Sequence, residues 1–286
     1  MYILRKNKSK IQLLDWLNEE QAFQIIVEGN THRYFRGDFY KTGIPSDYSW
    51  LENFFDEYEL ALPTRTKKIN EKGKKKNGTK VYKTMWDPNS LFYLVAKKGA
   101  NITTNTSTIK TLLQEADYVI CTDLQSEIAD FITISETTDT VCFIHCKAGE
   151  SKLSASAFQE VCGQIVKNLD YVNKESERRP NYSYWEKEWV NKYYKVKANR
   201  KILNPNNLTA EEIWRKLKEV QNKPNSQTYV IALVGDAFSK SRYLSEKNKK
   251  YEKQKAEVIQ IDYLLNQTAV AVGRAQAKFI LSFNKL

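Results

Sequence analysis

Three short apolar runs in close succession, followed by an amphipathic stretch, constrain the fold of this chain more than any other feature. Residues 118–121, 129–134 and 140–145 are each bounded by polar or turn-forming positions. That length, with its β-branched and aromatic content, is the signature of buried strands. Residues 153–169 then place apolar side chains at helical spacing. A helix over 108–116, with Ser107 as its N-cap, is expected just ahead of the first run. Residues 171–207 interrupt the pattern with tyrosines and tryptophans alternating with Lys and Glu, read as a helical insertion whose Tyr182–Tyr194 aromatics pack into the core or between helices, with stacking on single-stranded bases as the alternative. The alternation then resumes. A helix over 208–220 opens on the capping box Thr209-Ala210-Glu211-Glu212, and a strand over 229–235, a charged helix over 261–272 and a closing strand over 278–283 follow. An α/β fold is expected.

The first hundred residues read differently, as a mixed α+β module. A helical pattern covers 11–16, and strands over 23–27 and 34–40 flank turn residues Glu28, Gly29 and Asn30. His32 is read there as a turn residue. Trp50, Leu51, Phe54, Phe55 and Tyr58 recur at helical spacing, and residues 91–95 form a further apolar run. The expected division is therefore 1–100 and 101–286.

With 286 residues, 41% of them hydrophobic, the chain can bury a sizeable core. Its formal net charge of +11 is unevenly spread. Residues 64–80 carry Arg65, Lys67, Lys68, Lys72, Lys74, Lys75, Lys76 and Lys80 against Glu71 alone, and without apolar periodicity they read as a mobile loop. A second basic run spans 240–255. Such runs give a sequence-blind affinity for a polyanion, most often nucleic acid, with Lys74, Lys75 and Lys76 as candidate contacts. The sequence has no apolar run near twenty residues and begins Met1-Tyr-Ile-Leu-Arg-Lys, so a cytoplasmic protein without membrane attachment is expected. Cys121, Cys142, Cys146 and Cys162 are read as buried reduced thiols.

Chemistry concentrates between residues 127 and 167. Asp130 stands at the head of the second strand, and the third runs into His145-Cys146-Lys147-Ala148-Gly149. Adjacent strands place facing side chains roughly 5 Å apart, so Asp130 and His145 can share a metal ion with Glu127 assisting. Lys147 follows at period two and would orient water or stabilise developing charge. Gln164 and Lys167 fall on one face of the next helix. Lys152, with Ser154 and Ser156, stands at its start, where free N–H groups favour a phosphate.

This order resembles the PD-(D/E)xK restriction-endonuclease-like superfamily, above all its Mrr-like branch with Gln-x-x-Lys on the helix. It is also similar to nuclease-like C-terminal regions of bacterial helicase-linked defence proteins. The resemblance covers residues 107–170, with a weaker echo over 229–283. It implies a restriction-endonuclease-like central mixed sheet flanked by helices, and a metal-dependent endonuclease acting on DNA rather than RNA in anti-phage defence. Asp130, His145, Lys147 and Gln164 would be its site positions, Mg²⁺ or Mn²⁺ its cofactor, and a helicase or other defence subunit, or a second copy of the chain, its protein partner. One departure stands out: His145 occupies the place of the usual acid, and imidazole suits Mn²⁺ better than Mg²⁺.

Two rival classes stay open. The run from His145 to Lys152 also resembles the phosphate loop of cysteine-dependent phosphatases, with Cys146 as nucleophile. Against that, Lys152 replaces their arginine and Leu153 their hydroxyl. The other rival is an inactive nuclease fold that binds nucleic acid or a helicase without cutting.

Overall fold

The computed structural model describes residues 2–4, 10–15, 25–26, 32–35, 38–41, 49–61, 69–73, 81–124, 127–149 and 152–285, and its internal contacts divide the chain into units 1–50 and 51–286. The sequence-based boundary near 100 falls inside the larger unit. In the smaller unit, β1 (Tyr2–Leu4) pairs antiparallel with β2 (Lys10–Gln12). A separate antiparallel sheet runs β3 (Ile25–Ile26), β4 (His32–Phe35), β5 (Asp38–Lys41), so His32 opens a strand rather than lying in the turn.

In the larger unit residues 51–54 belong to a 3-10 helix (Ser49–Phe54), and the helical spacing expected through Tyr58 gives way to strand β6 (Phe55–Tyr58); α1 (Leu91–Ala96) and α2 (Thr108–Gln114) follow. Next come the antiparallel strands β7 (Tyr118–Cys121), β8 (Phe131–Ser135) and β9 (Thr140–Lys147), then α3 (Ala155–Lys167). The Tyr/Trp-rich stretch is less helical than expected. Short helices α4 (Leu169–Val172) and α5 (Tyr182–Trp185) precede the hairpin β10 (Trp189–Asn191) and β11 (Val196–Ala198). Then β12 (Lys201–Leu203) pairs with β7 at the sheet edge. The chain closes with α6 (Ala210–Gln221), β13 (Gln227–Val234), α7 (Lys240–Lys247), α8 (Ala256–Arg274) and β14 (Lys278–Asn284).

The main sheet has seven strands in the order β12-β7-β8-β9-β13-β14-β6. It is mixed: β7 to β9 form an antiparallel meander, while β9, β13, β14 and β6 are mutually parallel. This establishes an α/β fold with a mixed sheet between helices. Strands β7, β8 and most of β9 are buried along their whole length, which is why they read as unbroken apolar runs.

Two faces result from the period-two alternation of β9. Cys142, Ile144 and Cys146 join the core cluster that contains α1, α2, Trp86 and Trp189. There Phe92 lies edge-on to Phe131 at 4.7 Å between centroids, and Trp86 to Trp189 at 5.3 Å. Val141, Phe143 and His145 alternate to the opposite face, where α3 and α6 pack on β9.

Part of the lysine-rich segment is anchored rather than loose. Ile69 is buried, Asn70 N–H donates to the Asn89 carbonyl at 3.0 Å, and Phe92 N–H donates to the Glu71 carbonyl at 3.0 Å. These bonds fix residues 69–73 against α1; Lys74, Lys75 and Lys76 lie outside the described residues.

Candidate metal centre

The ends of β7 and β8 build the site. Their antiparallel register sets Cys121 opposite Phe131, so the next residues outward, Thr122 and Asp130, face one another. Thr122 N–H donates to the Asp130 carbonyl at 2.9 Å, and the Thr122 hydroxyl bonds the Ala129 carbonyl at 2.5 Å. Asp123 and Asp130 are thereby brought together, and Glu127, from the connection between them, completes a cluster. Ligand atoms of all three carboxylates lie within 4.8 Å of one another.

Each carboxylate has a defined setting. Buried Asp130 accepts the Cys146 N–H at 2.7 Å, which ties it to β9. Asp123, also buried, accepts the Trp189 indole N–H at 2.8 Å on one oxygen and the Lys72 ammonium at 3.1 Å on the other. The Arg200 guanidinium holds the adjoining backbone through the carbonyls of Cys121, at 3.2 Å, and Asp123, at 2.5 Å. Glu127 Oε1 is buried with no hydrogen-bond partner.

Electrostatics follow from this crowding. Burial, then the charge of Asp123, holds the Asp130 carboxyl well above its ordinary range, opposed by Lys72. Burial and Asp123 raise Glu127 likewise, against the pull of Lys167 and Lys72. Burial works to depress the Lys72 ammonium, but Asp123, Asp130 and Glu71 outweigh it and its pKa rises. Lys72 also bridges to Glu71 at 3.2 Å and lies 5.0 Å from the centre of the Phe92 ring.

Of the sequence-derived site residues, Asp130 and Glu127 are brought together, and Lys147 borders the cluster. Its ammonium lies 3.6 Å from Glu71 and pairs with Glu160 on α3. His145 does not join them. It occupies the opposite sheet face, 1% exposed, with Nδ1 lacking a partner. Burial first, then nearby Lys167, lowers its pKa to about 3. The third carboxylate of the cluster is that of Asp123, and His145 is a buried imidazole held neutral by its surroundings. Gln164 is half-buried, and among the described residues no hydrogen bond links it to the cluster. Lys167 is exposed at the end of α3, and its charge is felt at both Glu127 and His145.

Lys152 lies apart, lining a cavity of about 470 Å³ with Ser241, Arg242 and Lys255. Leu153 forms an isolated bridge with Phe238. Cys146 is poorly placed as a nucleophile: it is buried in the core cluster, and burial followed by Asp130 raises its thiol pKa well above the ordinary value. The other three cysteines are buried and free, as the sequence suggested.

Sequence reasoning missed Asp123, Lys72, Glu71, Trp189 and Arg200. Asp123 had a readable signal, since it follows a strand end as Asp130 precedes one. Lys72 had none, being one lysine among many whose place depends on the pairing of 69–73 with α1.

Comparison with protein-family models, with curated proteins and with solved structures returns no match. Among the described residues no helix is long and apolar enough to cross a membrane.

Proposed function

We propose that this protein is a metal-dependent nuclease that hydrolyses DNA phosphodiester bonds at the Asp123–Glu127–Asp130 cluster. One observation carries the reading: three carboxylates converge within 4.8 Å, with one Glu127 oxygen buried and unpartnered. The donor set is all oxygen and suits a hard cation, Mg²⁺ or Mn²⁺, better than a soft one. Charge points the same way. Asp123, Glu127 and Asp130 crowd together with Lys72 bonded to Asp123, and a divalent ion would relieve the repulsion that remains.

When bound, such an ion supplies Lewis-acid polarisation of a phosphoryl oxygen and lowers the pKa of water. The chain's own residues do the rest. Trp189 and Lys72 orient the Asp123 carboxylate, and the Cys146 N–H orients that of Asp130. Lys72 and Lys147 place positive charge beside the phosphate and its pentacoordinate transition state. The run α2-β7-β8-β9-α3, joined after the intervening α4 to α6 and β10 to β12 by β13 as a strand parallel to β9, supports the restriction-endonuclease-like reading of the core. Anti-phage defence beside a helicase belongs to the same proposal.

A second reading has its own support. The Lys72 ammonium already sits 3.1 Å from Asp123, where a cation would bind, so the site could be a self-neutralised, non-cutting nucleic-acid or helicase-binding module. Incubation with DNA in Mg²⁺ or Mn²⁺ decides between them. Cleavage is expected in wild type, to fall at least about a hundredfold in Asp123→Asn and Asp130→Asn, and to vanish in EDTA. Binding without cleavage in either metal favours the module. Metal-independent phosphate release from an aryl phosphate, lost in Cys146→Ser, would sink both.

A further inference from the structure

The β10–β11 hairpin is tied to the carboxylate cluster and ends in an exposed aromatic between lysines. At its base the Trp189 indole N–H bonds Asp123 at 2.8 Å. Its turn reads Lys192-Tyr193-Tyr194-Lys195, and Asn191 Oδ1 accepts the N–H groups of Tyr193 at 2.9 Å and Tyr194 at 3.3 Å. That Asx turn fixes the tip before anything binds. A second anchor comes from Lys83, whose N–H donates to the Lys195 carbonyl at 2.9 Å and whose carbonyl accepts from Lys197 at 2.8 Å.

Other aromatics of this region serve the interior: Trp185 and Trp189 are buried, and Tyr194 lines a small recess with Lys72 and Lys83. Tyr193 does not. It is 70% exposed, and its turn is already held by Asn191. The ring is thus presented to solvent on a rigid support, with exposed Lys192 beside it and Lys195 close by over the Tyr82 ring.

We infer that Tyr193 is a base-stacking platform and that the substrate is an unpaired DNA strand, its phosphates met by Lys192 and Lys195. The inference rests on the nuclease reading for bringing DNA to the carboxylates. Tyr193 stands four positions beyond Trp189, at most about 13 Å at strand rise, so a strand held at the tip reaches the cluster within a few nucleotides. The specificity is physical. Every unpaired base offers a π face, whereas an intact duplex hides its faces inside the stack and offers Tyr193 only backbone and groove edges.

Equilibrium binding in EDTA tests this without cleavage, by fluorescence anisotropy of a labelled mixed-sequence oligonucleotide, single-stranded or annealed to its complement. Tyr193→Ala should weaken single-strand binding roughly five- to 150-fold, the loss of one base–aromatic stack. Tyr193→Phe should stay within about twofold of wild type, and duplex binding should change less than about twofold in either variant. Unaltered single-strand affinity in Tyr193→Ala, or an equal loss on duplex, overturns the proposal. Cleavage assayed separately keeps the two ideas apart. Selective loss in Tyr193→Ala with no cleavage by wild type retires the nuclease and leaves the stacking contact. Cleavage with Tyr193→Ala binding like wild type does the reverse.

Discussion

His145 is the residue whose chemistry this fold alters most. An imidazole in water titrates near 6.5, but here burial and Lys167 bring it down to about 3. Between those values the unfolded chain holds a proton that the native state refuses. The contribution to stability is therefore complete above about pH 6.5 and is lost as pH falls toward 3, at up to ~1.4 kcal/mol per pH unit. Urea unfolding of wild type and His145→Leu across this window should show a steeper acid loss in wild type. Parallel curves would mean the imidazole is solvated in the native state. Sequence gave no warning of this, because strand alternation puts His145 on the face opposite Cys146, and the choice of face depends on which helices cover each side.

At the scale of elements, what could be read was what is local. The Thr209–Glu212 capping box lies within four residues, and both halves form: the Thr209 hydroxyl accepts the Glu212 N–H, and the Glu212 carboxylate accepts the Thr209 N–H at 2.8 Å. Strands β7, β8 and β9 and helix α3 were legible for the same reason, each written in a short unbroken period. Ser107 shows the limit. It is the N-cap residue of α2 but makes no side-chain cap bond. Asp56 of β6 takes that part from 52 positions away, accepting the N–H groups of Thr108 at 2.7 Å and Ile109 at 2.9 Å. It also accepts the Ser282 hydroxyl at 2.9 Å, and so joins the two parallel strands β6 and β14 to the helix. Asp56→Ala should cost about 2–4 kcal/mol, more than an ordinary cap, because it strands several buried donors at once. Ser107→Ala should cost well under 1 kcal/mol. Equal losses in chemical denaturation would show that Ser107 shares the capping.

For the whole molecule, the sheet sets a boundary condition on the site: the antiparallel meander delivers Asp123 and Asp130 to one edge of the core, and the segment at 69–73 closes over it with Lys72. The carboxylates so assembled repel one another in a buried place, a cost that the proposed cation would relieve. Thermal unfolding should therefore respond to divalent metal even without DNA. At a hundredfold excess over Kd the stabilisation is about 2.7 kcal/mol, and it should grow as pH is raised, because protons compete for the elevated Glu127 and Asp130 carboxyls. Asp130→Asn and Asp123→Asn should lose most of the shift. In EDTA, Asp130→Asn should unfold no earlier than wild type, since the amide oxygen can still accept the Cys146 N–H while the repulsion is gone. His145→Leu supplies the deciding arm: it should keep the full metal shift if Asp123 completes the ligand set, and lose it if the imidazole does. A shift indifferent to all three substitutions would move the metal elsewhere and leave Lys72 as the permanent counter-ion of the cluster.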